Sequence, residues 1–69
     1  MLENFWLEYK ISGKGEYALN CTFKDAMQKA FDMCVSPLTS VCVYNGRNEK
    51  IAEQGLRGAT WVREDYRNA

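Results

Sequence analysis

The sequence predicts an α+β domain: an antiparallel sheet of four to five strands with one helix packed on one face, in the order β-β-α-β-β with room for a short fifth strand. Three patterns carry that prediction. Residues 5–12 alternate with period two, residues 23–34 repeat at three- and four-residue steps, and the β-formers Val41–Tyr44 run into Asn45-Gly46. One domain spans 1–69, because 69 residues cannot supply a second independent core. The chain is 46% hydrophobic with nine aromatic residues, which separates it from disordered sequences.

In "FWLEYKIS", Phe5, Leu7, Tyr9 and Ile11 fall on one side and Trp6, Glu8, Lys10 and Ser12 on the other, as in a strand with one buried face. "GKGE" then frees the backbone for a turn. A second alternation sets Tyr17, Leu19 and Cys21 against Glu16, Ala18 and Asn20, so the two segments form a hairpin. "TFKDAMQKAFDMC" is an amphipathic helix whose apolar stripe is Phe23, Ala26, Met27, Ala30, Phe31 and Cys34. Thr22 fits its N-cap and Asp25 its third position, with the carboxylate near the positive end of the helix dipole. Ser36-Pro37 stops the helix, because the residue before proline is driven out of the helical region.

Val41–Tyr44 is the third strand and Lys50–Gln54 the fourth, joined through Asn45-Gly46. Loop length decides which faces match. A two- or four-residue loop puts Ile51 beside Cys42 and Tyr44; a three-residue loop with Gly46 or Asn48 left-handed puts it beside Val41 and Val43. The odd loop is preferred because it gathers the branched residues on one buried face, leaving Cys42, Tyr44, Lys50 and Ala52 outward. "ATWVR" reads as a short edge strand, with a frayed, charged tail over residues 64–69; a final helical turn is the alternative.

Several function classes find no footing. There is no His, so the commonest general base is missing and the three cysteines, Cys21, Cys34 and Cys42, have no imidazole partner. They lack C-x-x-C spacing and are odd in number, which argues against a structural zinc set or a disulfide framework and for free thiols in a reducing cytosol. Glu64 and Asp65 are adjacent and diverge in an extended chain. "SGKGE" lacks the phosphate-loop pattern and leads into a strand. No apolar run reaches membrane-spanning length, and acidic residues stand where a signal peptide needs basic ones. The expectation is a cytoplasmic, non-catalytic protein without metal or cofactor.

Nine Lys plus Arg balance nine Asp plus Glu, so no basic footprint for nucleic acid or anionic membrane exists at the level of the whole chain. All four arginines lie after residue 45. With the helix on one sheet face, the other displays Trp6, Glu8, Lys10 and Tyr44. Trp, Tyr and Arg dominate interface hot spots. Candidate partner-binding residues are therefore Trp6, Lys10, Tyr44, Arg47, Arg57 and Arg63. A small nucleic-acid-binding domain that stacks bases on Trp6, Tyr44 and Trp61 is the alternative. A sheet edge also offers a route to a homodimer.

The succession "FWLEYKIS", "TFKDAMQKAF", "VCVYNG", "KIAEQ" and a lone late Trp61 resembles, in layout, the small single-helix antiparallel-sheet proteins of phages and mobile elements, anti-CRISPR proteins among them. The resemblance implies a non-catalytic inhibitor that occupies a surface of a larger host defence complex. Such inhibitors are often acidic, whereas this chain is neutral, so steric or allosteric blocking of a protein surface fits better than DNA mimicry.

Overall fold

The computed structural model describes residues 1–67. The first alternation forms β1 (Glu3–Tyr9) and the second β2 (Gly15–Cys21), an antiparallel pair. Helix α1 (Phe23–Met33) follows, then β3 (Ser40–Tyr44), β4 (Lys50–Gly55) and β5 (Gly58–Val62). The five strands make one antiparallel sheet in the order β2-β1-β3-β4-β5 with α1 against one face, as the sequence predicts. No helix among the described residues is long and apolar enough to cross a membrane.

The helix begins where its cap chemistry places it. Thr22 is extended, and its hydroxyl accepts a hydrogen bond from the Asp25 N–H at 3.1 Å. Ala26 and Ala30 are fully buried, so the helix sits close to the sheet; Cys34, just past its end, donates from Sγ to the Ala30 carbonyl. Phe31, expected in the buried stripe, lies at the rim and is 40% exposed, because the two small residues carry the line of closest approach. Beneath the helix are Phe5, Leu7, Ala18, Val41, Val43, Ile51 and Ala52.

The β3–β4 hairpin closes with three loop residues. Asn45 N–H donates to the Glu49 carbonyl, Asn48 N–H donates to the Asn45 carbonyl, and Asn48 carries the left-handed φ of 63°. Val43 therefore faces the core and Tyr44 the opposite side. Ala52, expected outward, is fully buried instead. The pairing slips from Tyr44↔Lys50 to Val43↔Ala52, and the bulge turns both Ile51 and Ala52 toward the helix. Lys50 and Glu53 stay on the far face.

A second bulge reverses an expectation in β2. Pairing slips between Glu3↔Cys21 and Phe5↔Ala18, with Asn20 left-handed at φ 51° and its N–H held by Asn4 Oδ1 at 2.7 Å. Cys21 packs on the core as the alternation implies, but beyond the bulge Ala18 is the inward residue, and Tyr17 and Leu19 are 63% and 64% exposed. Ile11 also departs from the expected face. β1 ends at Tyr9, and Ile11 sits in the turn, 92% exposed.

After β5, residues Glu64–Tyr66 wind into a 3-10 turn where a frayed tail was expected. Tyr66 ties it down: its hydroxyl donates to Glu3 Oε1 at 2.9 Å and its ring meets Phe23 at 5.2 Å between centroids. The last two positions of the expected tail, 68 and 69, lie outside the described residues.

Candidate functional site: the open face of the sheet

No element of the described chain covers the sheet face opposite α1. Two rows of side chains cross it. Tyr17, Trp6, Tyr44 and Lys50 follow one another through the pairings Trp6↔Tyr17, Trp6↔Tyr44 and Tyr44↔Lys50. The next row runs Gly15, Glu8, Cys42, Glu53 and Trp61. Alternation on β1 and β3 puts their even-numbered residues on this face, and the β4 bulge brings Lys50 and Glu53 to the same side.

Trp6 is fixed from two directions. Its ring stacks at a tilt on Tyr17, with centroids 4.7 Å apart, and its indole N–H donates to Glu8 Oε1 at 3.1 Å. The indole also lies over Gly15. A Cβ there would meet Trp6 Cζ2 at 2.8 Å and would run into the Leu7 carbonyl, so glycine is required by close approach. Tyr44 stands beside Trp6, half-buried. Burial raises its phenol pKa, with Cys42 and Glu8 adding and Lys50 opposing, so it remains a neutral hydroxyl at physiological pH.

The charges on the face are internally matched. Glu53 takes Lys50 at 3.0 Å on Oε1 and Lys10 at 3.3 Å on Oε2. The Lys50 hydrogen bond, reinforced by Lys10, holds the Glu53 carboxyl below its usual range, and the same bond raises Lys50. Lys50 also lies 5.8 Å from the Trp61 ring centroid. Cys42 faces outward as expected but is only 5% exposed, lying among Glu8, Lys10, Lys50 and Glu53. Burial pushes its thiol pKa up, which leaves it a poor nucleophile at neutral pH.

Three of the six candidate residues, Trp6, Lys10 and Tyr44, are together on this face. Arg47 is exposed at the hairpin tip. Arg57 is exposed in the β4–β5 turn at the opposite end of the sheet. Arg63 is engaged within the chain: it holds Asp65 through two bonds of 2.7 and 2.8 Å, reaches Glu49 at 3.4 Å and lies 5.5 Å from the Tyr66 ring centroid. Its guanidinium braces the C-terminal turn against the hairpin. Tyr17, Leu19 and Glu53 join the face without having been singled out from sequence. The bulge at Asn20, which exposes the first two, has no period-two signature.

A groove of about 450 Å³ opens at the hairpin end of this face, walled by Trp6, Tyr17 and Leu19 and edged by Asn4, Gly46 and Asn48. No charged side chain among the described residues lines it. No group of three or more His, Cys, Asp or Glu residues able to hold a metal is found among the described residues. Comparison with protein-family models, curated proteins and solved structures finds no match to the chain.

Proposed function

We propose that the chain is a non-catalytic binding protein that docks its open sheet face on a larger protein, and that, as the layout resemblance implies, the partner is a host defence complex whose surface it blocks. The observation that carries the binding reading is the uncovered aromatic row Tyr17, Trp6 and Tyr44, with Leu19 and the groove beside it. Large aromatics half-embedded in a sheet lose little side-chain freedom on binding and bring much apolar area. The stacked Trp6–Tyr17 pair and the glycine beneath it preorganise the surface.

Stacking of nucleobases on the same row is the competing reading. Charge weighs against it. Lys10 and Lys50 face Glu8 and Glu53, so the four charges of the open face cancel, and both lysines are already bonded to one carboxylate. Binding to phosphate draws most of its affinity from unmatched cations. Capture of a partner from host lysate separates the readings: protein docking survives nuclease treatment and a rise from about 50 to 200 mM salt, whereas phosphate binding weakens steeply over that range. The inhibitor version is tested by phage plating on a host whose defence complex targets that phage. Expression of the chain restores plating if the proposal holds, and leaves it unchanged if it does not.

A further inference from the structure

The end of the sheet away from the Asn45–Glu49 hairpin carries a different surface. Tyr9 N–H donates to the Lys14 carbonyl and Lys10 N–H to the Ser40 carbonyl; Ser40 pairs with Gly55, and Gly55 with Gly58. The β1–β2 turn, the α1–β3 connection and the β4–β5 turn therefore lie side by side. Three aliphatic side chains stand almost fully out of these loops: Ile11 is 92%, Val35 81% and Leu38 87% exposed. A groove of about 260 Å³ runs between them, lined also by Tyr9 and Ser40. Isolated exposed aliphatics are ordinary, but three around one concavity in a chain this small form a patch.

The loop that presents Leu38 is ordered by its own hydrogen bonds. Ser36 Oγ lies 3.0 Å from Thr39 Oγ1 and accepts from the Leu38 N–H at 3.3 Å, and Thr39 N–H donates to the Ser36 carbonyl at 3.0 Å. Pro37 sits inside this turn, with φ fixed. Leu38 is thus held outward. The three loops, residues 10–14, 34–39 and 56–57, contain Lys10, Lys14 and Arg57 and no carboxylate. Lys10 is committed to Glu53, while Lys14 and Arg57 form no salt bridge among the described residues.

We infer that this end of the sheet docks a partner-protein segment that inserts an apolar side chain between Ile11, Val35 and Leu38 and carries Asp or Glu on either side of it. Charge complementarity selects that occupant. A second copy related by a two-fold axis would bring Lys14 and Arg57 against the same cations. A bilayer would meet a convex tip and interfacial aromatics, whereas this surface is concave and its exposed large hydrophobic residues are aliphatic. The inference goes beyond the open-face reading, and its residues are separate from Tyr17, Trp6 and Tyr44.

The test is an amide NMR titration of the full chain with a short synthetic peptide in which Leu-Phe is flanked by Asp and Glu. Its controls are the same peptide with Lys flanks and with Ser-Ser in place of Leu-Phe, together with phosphatidylserine vesicles. Saturable shifts confined to residues 9–14, 35–40 and 55–58 are expected, with binding about tenfold weaker or worse for either control peptide and for Leu38→Ser. The exposed Leu38 can be changed without opening the core. The Lys14→Glu/Arg57→Glu variant should then prefer the Lys-flanked peptide. Absence of saturable shifts, equal binding of the Lys-flanked peptide, shifts that grow with protein concentration alone, or tighter binding to vesicles would each overturn the inference. Loss of lysate capture on changing Tyr17 and Tyr44 bears on the open face alone, so the two failures are distinguishable.

Discussion

Replacing Asn45 by Ala should cost about 2 kcal/mol, whereas replacing Gly46 by Ala should cost nothing measurable. The Asn45 side chain is 5% exposed, and its Oδ1 accepts from the Arg47 and Glu49 N–H groups, each at 3.0 Å, while Nδ2 donates to Glu49 Oε1 at 2.9 Å. Three bonds at about 0.5–1.5 kcal/mol each, taken toward the low end because the freed loop amides can reach water, give the 2 kcal/mol. Gly46 has no left-handed φ, and a Cβ there would meet nothing closer than the Asn4 carbonyl at 3.7 Å. Its substitution should be neutral or stabilise by about 0.4–1 kcal/mol through the unfolded chain. Asn48 takes the left-handed position, so Asn48→Gly should be tolerated and Asn48→Val should destabilise by about 1 kcal/mol or more. Thermal unfolding followed by Trp fluorescence reads the difference, since about 1 kcal/mol moves the midpoint of a chain this size by about 4–8 °C. An Asn45→Ala midpoint equal to that of the parent, or a Gly46→Ala loss exceeding it, would refute this account of the turn.

Three further outcomes follow from the packing and the charges. Ala30→Leu should destabilise by about 1–3 kcal/mol in urea unfolding, because the fully buried Ala30 sets the helix–sheet spacing. Gly15→Ala should both destabilise the chain and change the Trp6 environment in near-ultraviolet circular dichroism, since the new methyl would displace the indole; an unchanged spectrum would contradict the placement of Trp6. The Glu53 carboxyl lies below its ordinary value of 4.5 in the folded chain, so the unfolded chain binds more protons in that window. Its contribution is present above about pH 4.5 and is lost as pH falls through the lower folded value. Glu53→Gln should flatten the loss of stability below that pH, as read by urea midpoints across pH 3–7.

Much of the fold was legible because its signals were local and independent of register. The Thr22 cap, the Ala26/Ala30 stripe and the proline stop depend on neighbours a few residues away. The three-residue hairpin loop was legible by elimination, since it buries Val41, Val43 and Ile51 together. Bulges were not. Each adds one residue to one strand, and the resulting change of face for Tyr17, Leu19 and Ala52 is set by the neighbouring strand. Arg63 shows a related limit: its composition marks it as an interface residue, but its ion pair with Asp65 and its place over Tyr66 arise from the folded C-terminal turn. Half of the candidate site, Trp6, Lys10 and Tyr44, followed from β1 and β3 alternation, while its aromatic neighbour Tyr17 required the tertiary structure.

The central claim is that the open face is the docking surface. Once a partner has been isolated, titration calorimetry of the parent chain and of a Tyr17→Ser/Tyr44→Ser variant tests it most directly, with circular dichroism confirming that both are folded. Removal of two aromatic anchors from one contiguous patch should weaken binding by about a hundredfold or more. An unchanged affinity in a folded variant would contradict the claim and move the docking surface elsewhere on the molecule.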